Sequence, residues 1–193
     1  MMEQEIETFY PKNRQEWRSW LQDNHDKKQN IWLIYYKQKS KIPTVSYSDA
    51  VDEALCFGWI DSKAKSIDEV KFMQFFSKRK EKSVWSKINK EKIEMLISSG
   101  LMTPAGLAII EKAKANGSWT ILDEVEALII PPDLEEAFSQ KLNAKTYFQS
   151  LSRTDQRNIL QWLVLAKRPE TRQKRIDEIV DLAELGQKPK QFR

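Results

Sequence analysis

The stretch Ser46–Asn89 constrains the fold more than any other part of the chain. Its first residues predict a helix, with Ser48 as N-cap and acidic side chains in the first turns, where the helix dipole favours negative charge. Gly58 predicts the end of this helix, because glycine tolerates a left-handed backbone. The β-rich segments 59–62 and 70–76 then predict two strands. A helix followed closely by two strands is typical of an α+β unit.

The rest of the chain extends this pattern on both sides. Residues 11–24 predict a helix, and residues 31–37, rich in aromatic and β-branched side chains, predict an internal strand. After the central stretch the periodicity becomes helical, with predicted helices at 88–98, 104–116, 132–142, from Ser152 or Thr154 to Pro169, and 170–185, and a surface connector at 119–130. We therefore predict an α+β fold: a small, mainly antiparallel sheet with helices over residues 1–100, then a helical C-terminal region over 101–193.

Composition indicates an ordinary globular protein with an uneven charge distribution. The 193 residues are 40% hydrophobic and 31% charged, with a net charge of +4. Residues 62–92 carry ten basic and four acidic residues, residues 118–140 carry six acidic and no basic residues, and residues 166–193 carry eight basic and five acidic ones. Such blocks pair within a molecule or between protomers, and they do not by themselves indicate nucleic acid.

The sequence favours a cytoplasmic, non-enzymatic protein without metal or cofactor. Cys56 is the only cysteine, so no internal disulfide forms, and the N-terminus has no apolar segment typical of a secretory signal. No apolar run reaches the roughly 20 residues of a membrane span. His25 and Cys56 lack the spacing of a metal site, and no phosphate-binding glycine motif is present. We expect His25 to be a helix-capping or surface residue and Cys56 to be a buried structural thiol.

The first candidate site is a polar cluster that follows the two predicted strands. Asp61 leaves one strand, Arg79 follows the other, and we expect Ser83 or Ser86 to cap the next helix. A helix N-terminus beside a guanidinium suits a phosphate or carboxylate. The alternative is that Arg79 simply pairs with Asp61 and that the serines cap the helix. The complete candidate set is Asp61, Lys63, Arg79, Ser83, Trp85, Ser86 and Asn89.

A second basic cluster lies at the start of the last predicted helix and comprises Lys167, Arg168, Arg172 and Arg175. On a helical wheel, Arg172 and Arg175 fall on or beside the apolar face. Because an unpaired buried charge is costly, they need partners. We expect acidic residues of the 118–140 segment to pair with them, although a bound anion would serve equally.

A nucleic-acid-binding regulator is the alternative function. Trp32, Tyr35 and Tyr36 precede lysines at 37, 39 and 41, which resembles an aromatic and basic surface for nucleic acid. Aromatic residues in a strand are more often part of a core, and the acidic 118–140 segment interrupts a continuous basic surface. The sequence leaves both interpretations open.

Motifs along most of the chain resemble those of the YdeI/OmpD-associated family, whose members are also described as bacteriocin-protection proteins. The matching residues are Tyr47, Ala50-Val51, Glu53 to Asp61, Arg79, Ser83, Trp85-Ser86, Asn89, Gly100 to Met102, Ala105-Gly106, Ala113-Lys114, Gly117, Trp119, Pro132 to Leu134, Ala166 to Arg168, Glu170 to Arg172 and Arg175-Ile176. One departure is Lys78 before Arg79, where the family usually has proline, which implies a less rigid loop.

This resemblance implies a C-terminal helical module at about 131–193 and no particular reaction. The family's names refer to a bacteriocin-protection phenotype and to an outer-membrane porin. From the resemblance we expect a bacterial protein that binds a partner protein or a small anionic ligand in an envelope-stress or bacteriocin-tolerance context.

Overall fold

The structure, a computed structural model, describes residues 7–193. Its packing falls into two compact units: residues up to Ser83 together with Ile88–Trp119, and Val84–Lys87 together with Thr120–Arg193. This grouping describes packing, and the domain boundary expected near Gly100 stays a prediction. None of the helices in the described range is long and apolar enough to cross a membrane.

In the described residues, the first unit contains a four-stranded, mainly antiparallel sheet. Its strands are β1 (Thr8–Phe9), β2 (Asn30–Tyr36), β3 (Trp59–Ser66) and β4 (Lys71–Lys78). The spatial order is β1-β2-β4-β3, with β1 parallel to β2 and the other pairs antiparallel. The predicted α+β fold is confirmed, and β2 is internal as expected. The short strand β1 was not predicted, because two residues carry no detectable periodicity.

Four helices accompany this sheet: α1 (Arg14–Asn24), α2 (Tyr47–Cys56), α3 (Lys87–Ser98) and α4 (Pro104–Ala115). Ser46, and not Ser48, caps α2, because the Ser46 hydroxyl accepts the Asp49 N–H at 3.0 Å. The prediction of Ser48 as N-cap is therefore wrong by two residues. Gly58 follows α2 with φ +73°, the left-handed conformation expected of it.

Aromatic side chains join the helices to one face of the sheet. The indole of Trp17 packs edge-to-face on Phe76, with ring centroids 5.5 Å apart, and its Nε1 donates to the carbonyl of Ala50 at 3.0 Å. Residues of β2 alternate between buried and half-buried positions. Ile31, Leu33 and Tyr35 therefore face the helices, and the intervening side chains face the other way.

The second unit is helical, as predicted for the C-terminal region. Its helices are α5 (Asp123–Glu126), α6 (Pro132–Ser139), α7 (Leu142–Ser150), α8 (Arg153–Val164) and α9 (Pro169–Glu184). Their apolar faces form one core, which includes Leu134, Phe138, Phe148, Ile159, Leu160, Leu163, Ile176 and Ile179. The predicted core faces of α8 and α9 are confirmed.

Two predictions for the second unit are wrong. The 119–130 segment is not a surface connector, since Leu122 and Val125 are buried in the core of the unit. The predicted helix 132–142 ends at Ser139, and the separate helix α7 was missed. The alternation of apolar and acidic residues in the 119–130 segment gives a weak periodic signal, and the nine residues of α7 are too few for a strong one. Tertiary packing therefore decided both cases.

Candidate functional site

Asp61 is held in place at the edge of the sheet by two donors. Its carboxylate accepts hydrogen bonds from the Tyr47 hydroxyl at 2.8 Å and from Gln74 Nε2 at 3.1 Å. Burial and the bond to Asp61 raise the pKa of Tyr47 to about 12, so this hydroxyl stays protonated near neutral pH. Tyr35 lies near this pair, and within the described residues its buried hydroxyl has no hydrogen-bond partner.

Arg79 is buried directly after β4, with 6% of its surface exposed. Its backbone N–H donates to the Gly58 carbonyl at 2.9 Å, which ties the residue to the turn after α2. Burial lowers the pKa of Arg79 to about 10, and the negative charge of Asp61 opposes this shift. The guanidinium remains charged at neutral pH. The side chain of Arg79 is therefore shielded from bulk solvent.

A cavity of about 250 Å³ lies beside Arg79 within the first unit. Its walls combine cationic and apolar groups, among them His25, Phe57, Trp59, Lys78, Arg79 and Ile109. Asp26 adds one carboxylate, and the Lys78 ammonium donates to the Asp26 carbonyl at 2.9 Å. Two basic residues and one acidic residue therefore lie among the lining residues of the cavity, together with several apolar ones.

His25 both ends α1 and lines this cavity. Its Nδ1 lies 3.0 Å from the Leu21 carbonyl, so the expected capping role is confirmed. A neutral imidazole that donates from Nδ1 leaves Nε2 as an acceptor. The ring packs against Phe57 with centroids 5.2 Å apart. Sequence reasoning assigned only a capping or surface role, because the cavity arises from chain segments that are distant in sequence.

Of the first candidate set, Arg79 lines the cavity, and Asp61 and the other five residues do not. Lys63 lies on the other face of the sheet from Asp61, with its ammonium 5.6 Å from the ring centroid of Trp32. Ser83 does not begin a helix, since α3 begins at Lys87. The Ser83 hydroxyl instead donates to the Lys80 carbonyl at 2.7 Å. Asn89 is half-buried in α3. Trp85 and Ser86 are grouped with the second unit, and Trp85 is buried.

The second basic cluster separates into different environments. Arg172 forms a bidentate pair with Asp133, with Nε–Oδ2 and Nη2–Oδ1 distances of 2.5 and 2.8 Å. This confirms the expected acidic partner from the 118–140 segment. Among residues 7–193, Arg175 has no acidic partner. It donates to the Trp162 carbonyl, and its guanidinium lies 4.8 Å from the centroid of the Trp162 ring. The prediction of an acidic partner for Arg175 is wrong, because an aromatic face and a carbonyl supply its contacts.

The two other residues of that cluster, Lys167 and Arg168, are exposed where α9 begins. Arg168 precedes α9, and its carbonyl accepts the Arg172 N–H at 2.9 Å. The four basic residues therefore do not form one shared anion site.

Glu53 is a buried charge that sequence reasoning missed. Only 1% of its surface is exposed, and its carboxylate accepts from Arg14 Nε at 2.5 Å and from Arg18 Nη1 at 2.6 Å. Arg18 also donates to the Leu101 carbonyl at 2.9 Å. The available signal was the position of Glu53 on the same helical face as Ala50 and Phe57.

Cys56 lies one turn after Glu53 and is fully buried. Burial raises the pKa of its thiol to about 11, with a further contribution from the negative charge of Glu53. The expectation of a buried thiol is confirmed. Within the described residues, no group of three or more His, Cys, Asp or Glu side chains is arranged to hold a metal ion.

Comparison with known families gives two matches along the chain. Residues 9–109, just over half of the chain, match a family described as a domain of unknown function, DUF8412. Residues 127–186 match the family described as Bacteriocin-protection, YdeI or OmpD-Associated. The second match confirms the resemblance to this family over residues 127–186, whereas the motifs quoted between residues 47 and 119 lie outside the matched region. No curated protein and no solved structure gives a significant match.

Proposed function

Because the chain belongs to the DUF8412 family and carries the bacteriocin-protection, YdeI or OmpD-associated region at residues 127–186, we propose that it is a binding protein whose first unit takes up a small anionic ligand. The observation that carries this proposal is the cavity beside the buried Arg79. In this proposal the protein binds the ligand without catalysing a reaction. It is a cytoplasmic bacterial protein that acts in bacteriocin tolerance or envelope stress. The description of the family matched at residues 127–186 supports the bacteriocin part of this proposal.

The chemistry of the walls supports a carboxylate or phosphate as the charged part of the ligand. A guanidinium presents parallel N–H donors that match the two oxygens of such a group, and charge-assisted bonds of this kind are stronger than neutral ones. Lys78 adds a second positive charge on the same wall. Phe57, Trp59 and Ile109 favour a ligand that also has an apolar part.

The size of the cavity restricts the ligand further. Pockets for drug-sized molecules usually measure about 300–1,000 Å³. A volume of about 250 Å³ suits a molecule smaller than these, such as an aromatic or short aliphatic carboxylate. Asp26 disfavours ligands with several negative charges, since it places a carboxylate on the same wall.

The proposal is tested by thermal denaturation with benzoate, acetate and inorganic phosphate as probes. A ligand specific to the native state stabilises it by about 1.4 kcal/mol at ten times its dissociation constant. We expect benzoate to raise the melting temperature of the wild type. Ala105→Leu places a larger side chain on the cavity wall without changing the charge and should abolish the effect.

A matched pair of lysine variants separates this site from general ionic effects. Lys78→Gln removes a charge from the wall, whereas Lys80→Gln removes the same charge from an exposed position outside it. Lys78→Gln should weaken the benzoate effect and Lys80→Gln should leave it unchanged. The proposal would be refuted if both variants lost the benzoate-induced rise in melting temperature to the same extent. It would also be refuted if none of the three anions changed the melting temperature of the wild type.

A further inference from the structure

The face of the sheet opposite α1 is aromatic and only half-buried. The register of β2 and β4 places Trp32 opposite Phe75, Ile34 opposite Met73, and Tyr36 opposite Lys71. Trp32, Ile34, Tyr36 and Phe75 remain partly exposed, in contrast to the buried residues between them. We call the face formed by these residues the outer face of the sheet.

The aromatic rings on the outer face form two groups. Trp32 packs edge-to-face on Phe75, with centroids 5.1 Å apart. Tyr36 packs in the same way on Tyr10, with centroids 5.0 Å apart. Trp32 and Tyr36 are four residues apart in one strand, so the two groups are separated by about 13 Å along the sheet. This distance allows separate planar groups to stack on each of them.

Lysines accompany the rings along the neighbouring strands. The ammonium of Lys63 lies 5.6 and 5.7 Å from the centroids of Trp32 and Phe75. Lys65 is paired with Met73, which places it on the same face, and Lys71 is paired with Tyr36. Lysines at 37, 39 and 41 follow the end of β2. The outer face therefore combines half-buried rings with a margin of positive charge.

Two acidic residues next to this margin, Asp68 and Glu69, lie in the turn between β3 and β4. Asp68 accepts the backbone N–H groups of Val70 and Lys71 at 2.9 Å each, and its carboxylate lies 3.5 Å from the Lys71 ammonium. Glu69 is exposed in the same turn. Asp61 lies on the opposite face, so it does not offset the charge of Lys63.

We propose that the outer face binds single-stranded nucleic acid, with bases stacked on Trp32, Phe75 and Tyr36 and with phosphates contacting Lys63, Lys65 and Lys71. Aromatic platforms bordered by cationic side chains are how proteins hold single strands without sequence readout. Lysines placed against the rings disfavour an apolar protein partner, because the centres of protein interfaces are depleted of lysine. None of these residues lines the Arg79 cavity, so this inference is independent of the proposed function.

Fluorescence anisotropy with a labelled mixed-sequence oligonucleotide tests the proposal, using RNA and DNA single strands and a DNA duplex. We expect single strands to bind more tightly than the duplex, with affinity that falls as salt increases. Comparing the affinities for the RNA and the DNA single strand identifies whether the site prefers ribose or deoxyribose. Trp32→Leu keeps an apolar side chain but removes the ring, and it should weaken binding about five-fold or more.

The charge contribution is tested with paired double variants. Lys63→Gln with Lys65→Gln removes two exposed charges from the outer face, and the dependence of log affinity on log salt should decrease by about 1.4. Lys80→Gln with Lys82→Gln removes two exposed charges after the other end of β4 and should leave affinity nearly unchanged.

Several results would overturn the proposal. These are a wild type that does not bind single strands at low salt, a duplex that binds equally well, equal losses in both double variants, and full affinity in a folded Trp32→Leu variant. Vesicles that contain phosphatidylserine provide the comparison for a membrane surface. Binding to vesicles that depends on Lys63 and Lys65, with no binding to single strands, would assign the face to a membrane instead.

Discussion

Gly106 packs directly against the backbone of Cys56. A Cβ atom at position 106 would lie 2.3 Å from the Cys56 carbonyl oxygen and 2.8 Å from its carbonyl carbon. The same carbonyl accepts hydrogen bonds from the N–H and the hydroxyl of Thr103, at 3.2 and 2.7 Å. The start of α4 therefore rests on the end of α2 at a distance that only glycine permits.

Gly106→Ala should destabilise the protein, although alanine is the better helix former by about 1 kcal/mol. The clash is with backbone atoms, which do not relax as a flexible side chain would, and overpacking costs roughly 1–3 kcal/mol or more. Chemical denaturation measures the change in the free energy of unfolding. Gly100→Ala is the control, because its Cβ meets nothing within 4 Å and only the strain of its positive φ remains. A more stable Gly106→Ala variant would contradict the close packing.

Arg172→Ala should lower the free energy of unfolding by about 1 kcal/mol at neutral pH. Both partners of the Arg172–Asp133 pair are partly exposed, with 29% and 43% of their side-chain surfaces accessible, so solvent screens the loss. Lys174→Ala removes an exposed charge from the same helix and should have little effect. A loss in Arg172→Ala no larger than in this control would show that the pair contributes nothing measurable.

The same pair should contribute to acid sensitivity. Hydrogen bonds from Arg172 lower the pKa of Asp133 below its ordinary value of 3.8. The folded pKa is therefore below the unfolded one, and the stabilisation is complete above the unfolded pKa and lost as pH falls through the folded value. Denaturation curves from pH 7 down to pH 2 should show the wild type and Arg172→Ala converging. Parallel curves across this range would contradict the assignment.

Cys56 should react slowly with a thiol reagent in the native protein and rapidly in denaturant. The thiol is fully buried, and burial raises its pKa from 9.0 to about 11, so the reactive thiolate is scarce. With a folded pKa above the unfolded one, its contribution to stability is complete below pH 9 and declines as pH rises towards 11. Ellman's reagent measures the labelling rate. Rapid native labelling at neutral pH would show that the site is open.

Glu53→Gln should lower the free energy of unfolding, measured by chemical denaturation, by about 2–4 kcal/mol, because it leaves two arginines against a buried neutral amide. The partly exposed side chains of Arg14 and Arg18 keep the loss below that of a fully buried pair. Asp49→Asn is the matched control, because Asp49 also contacts Arg14, at 3.2 Å, but its side chain is 40% exposed. This variant should lower the free energy of unfolding by no more than about 1 kcal/mol. Equal effects in the two variants would contradict the special role of burial at Glu53.

The local elements were predictable where a strong periodic pattern coincided with a clear terminal residue. Thr103 with Pro104 marked the start of α4, and Gly58 marked the turn after α2, because capping and left-handed backbone requirements act within a few residues. Short elements such as β1 and α5 gave no comparable signal. The N-cap of α2 was misplaced because Ser46 and Ser48 are chemically equivalent candidates, and only the backbone path distinguishes them.

The candidate site was predictable only in part. The placement of Arg79 at the junction after β4, shielded from solvent and influenced by Asp61, followed from the order of strands. The cavity walls did not follow, since they come from α1, α2, β3, β4 and α4, which approach each other only in the folded chain. Lys63 could not be assigned to a face, because an irregularity in the pairing between Asp61 and Ala64 shifts the alternation of β3.

The sequence by itself determined the class of fold, the burial of Cys56, the family resemblance of residues 127–186 and the acidic segment that pairs with Arg172, because helix and strand periodicity, apolar surroundings, motifs and charge pairing are encoded in short patterns. Tertiary structure alone decided that Glu53 is buried between two arginines, that Arg175 rests on Trp162, and that His25 meets Lys78 and Arg79 around a cavity. The physical reason is that these contacts join segments far apart in sequence. Their geometry depends on how whole helices pack on the sheet and on each other, and no local pattern specifies that packing.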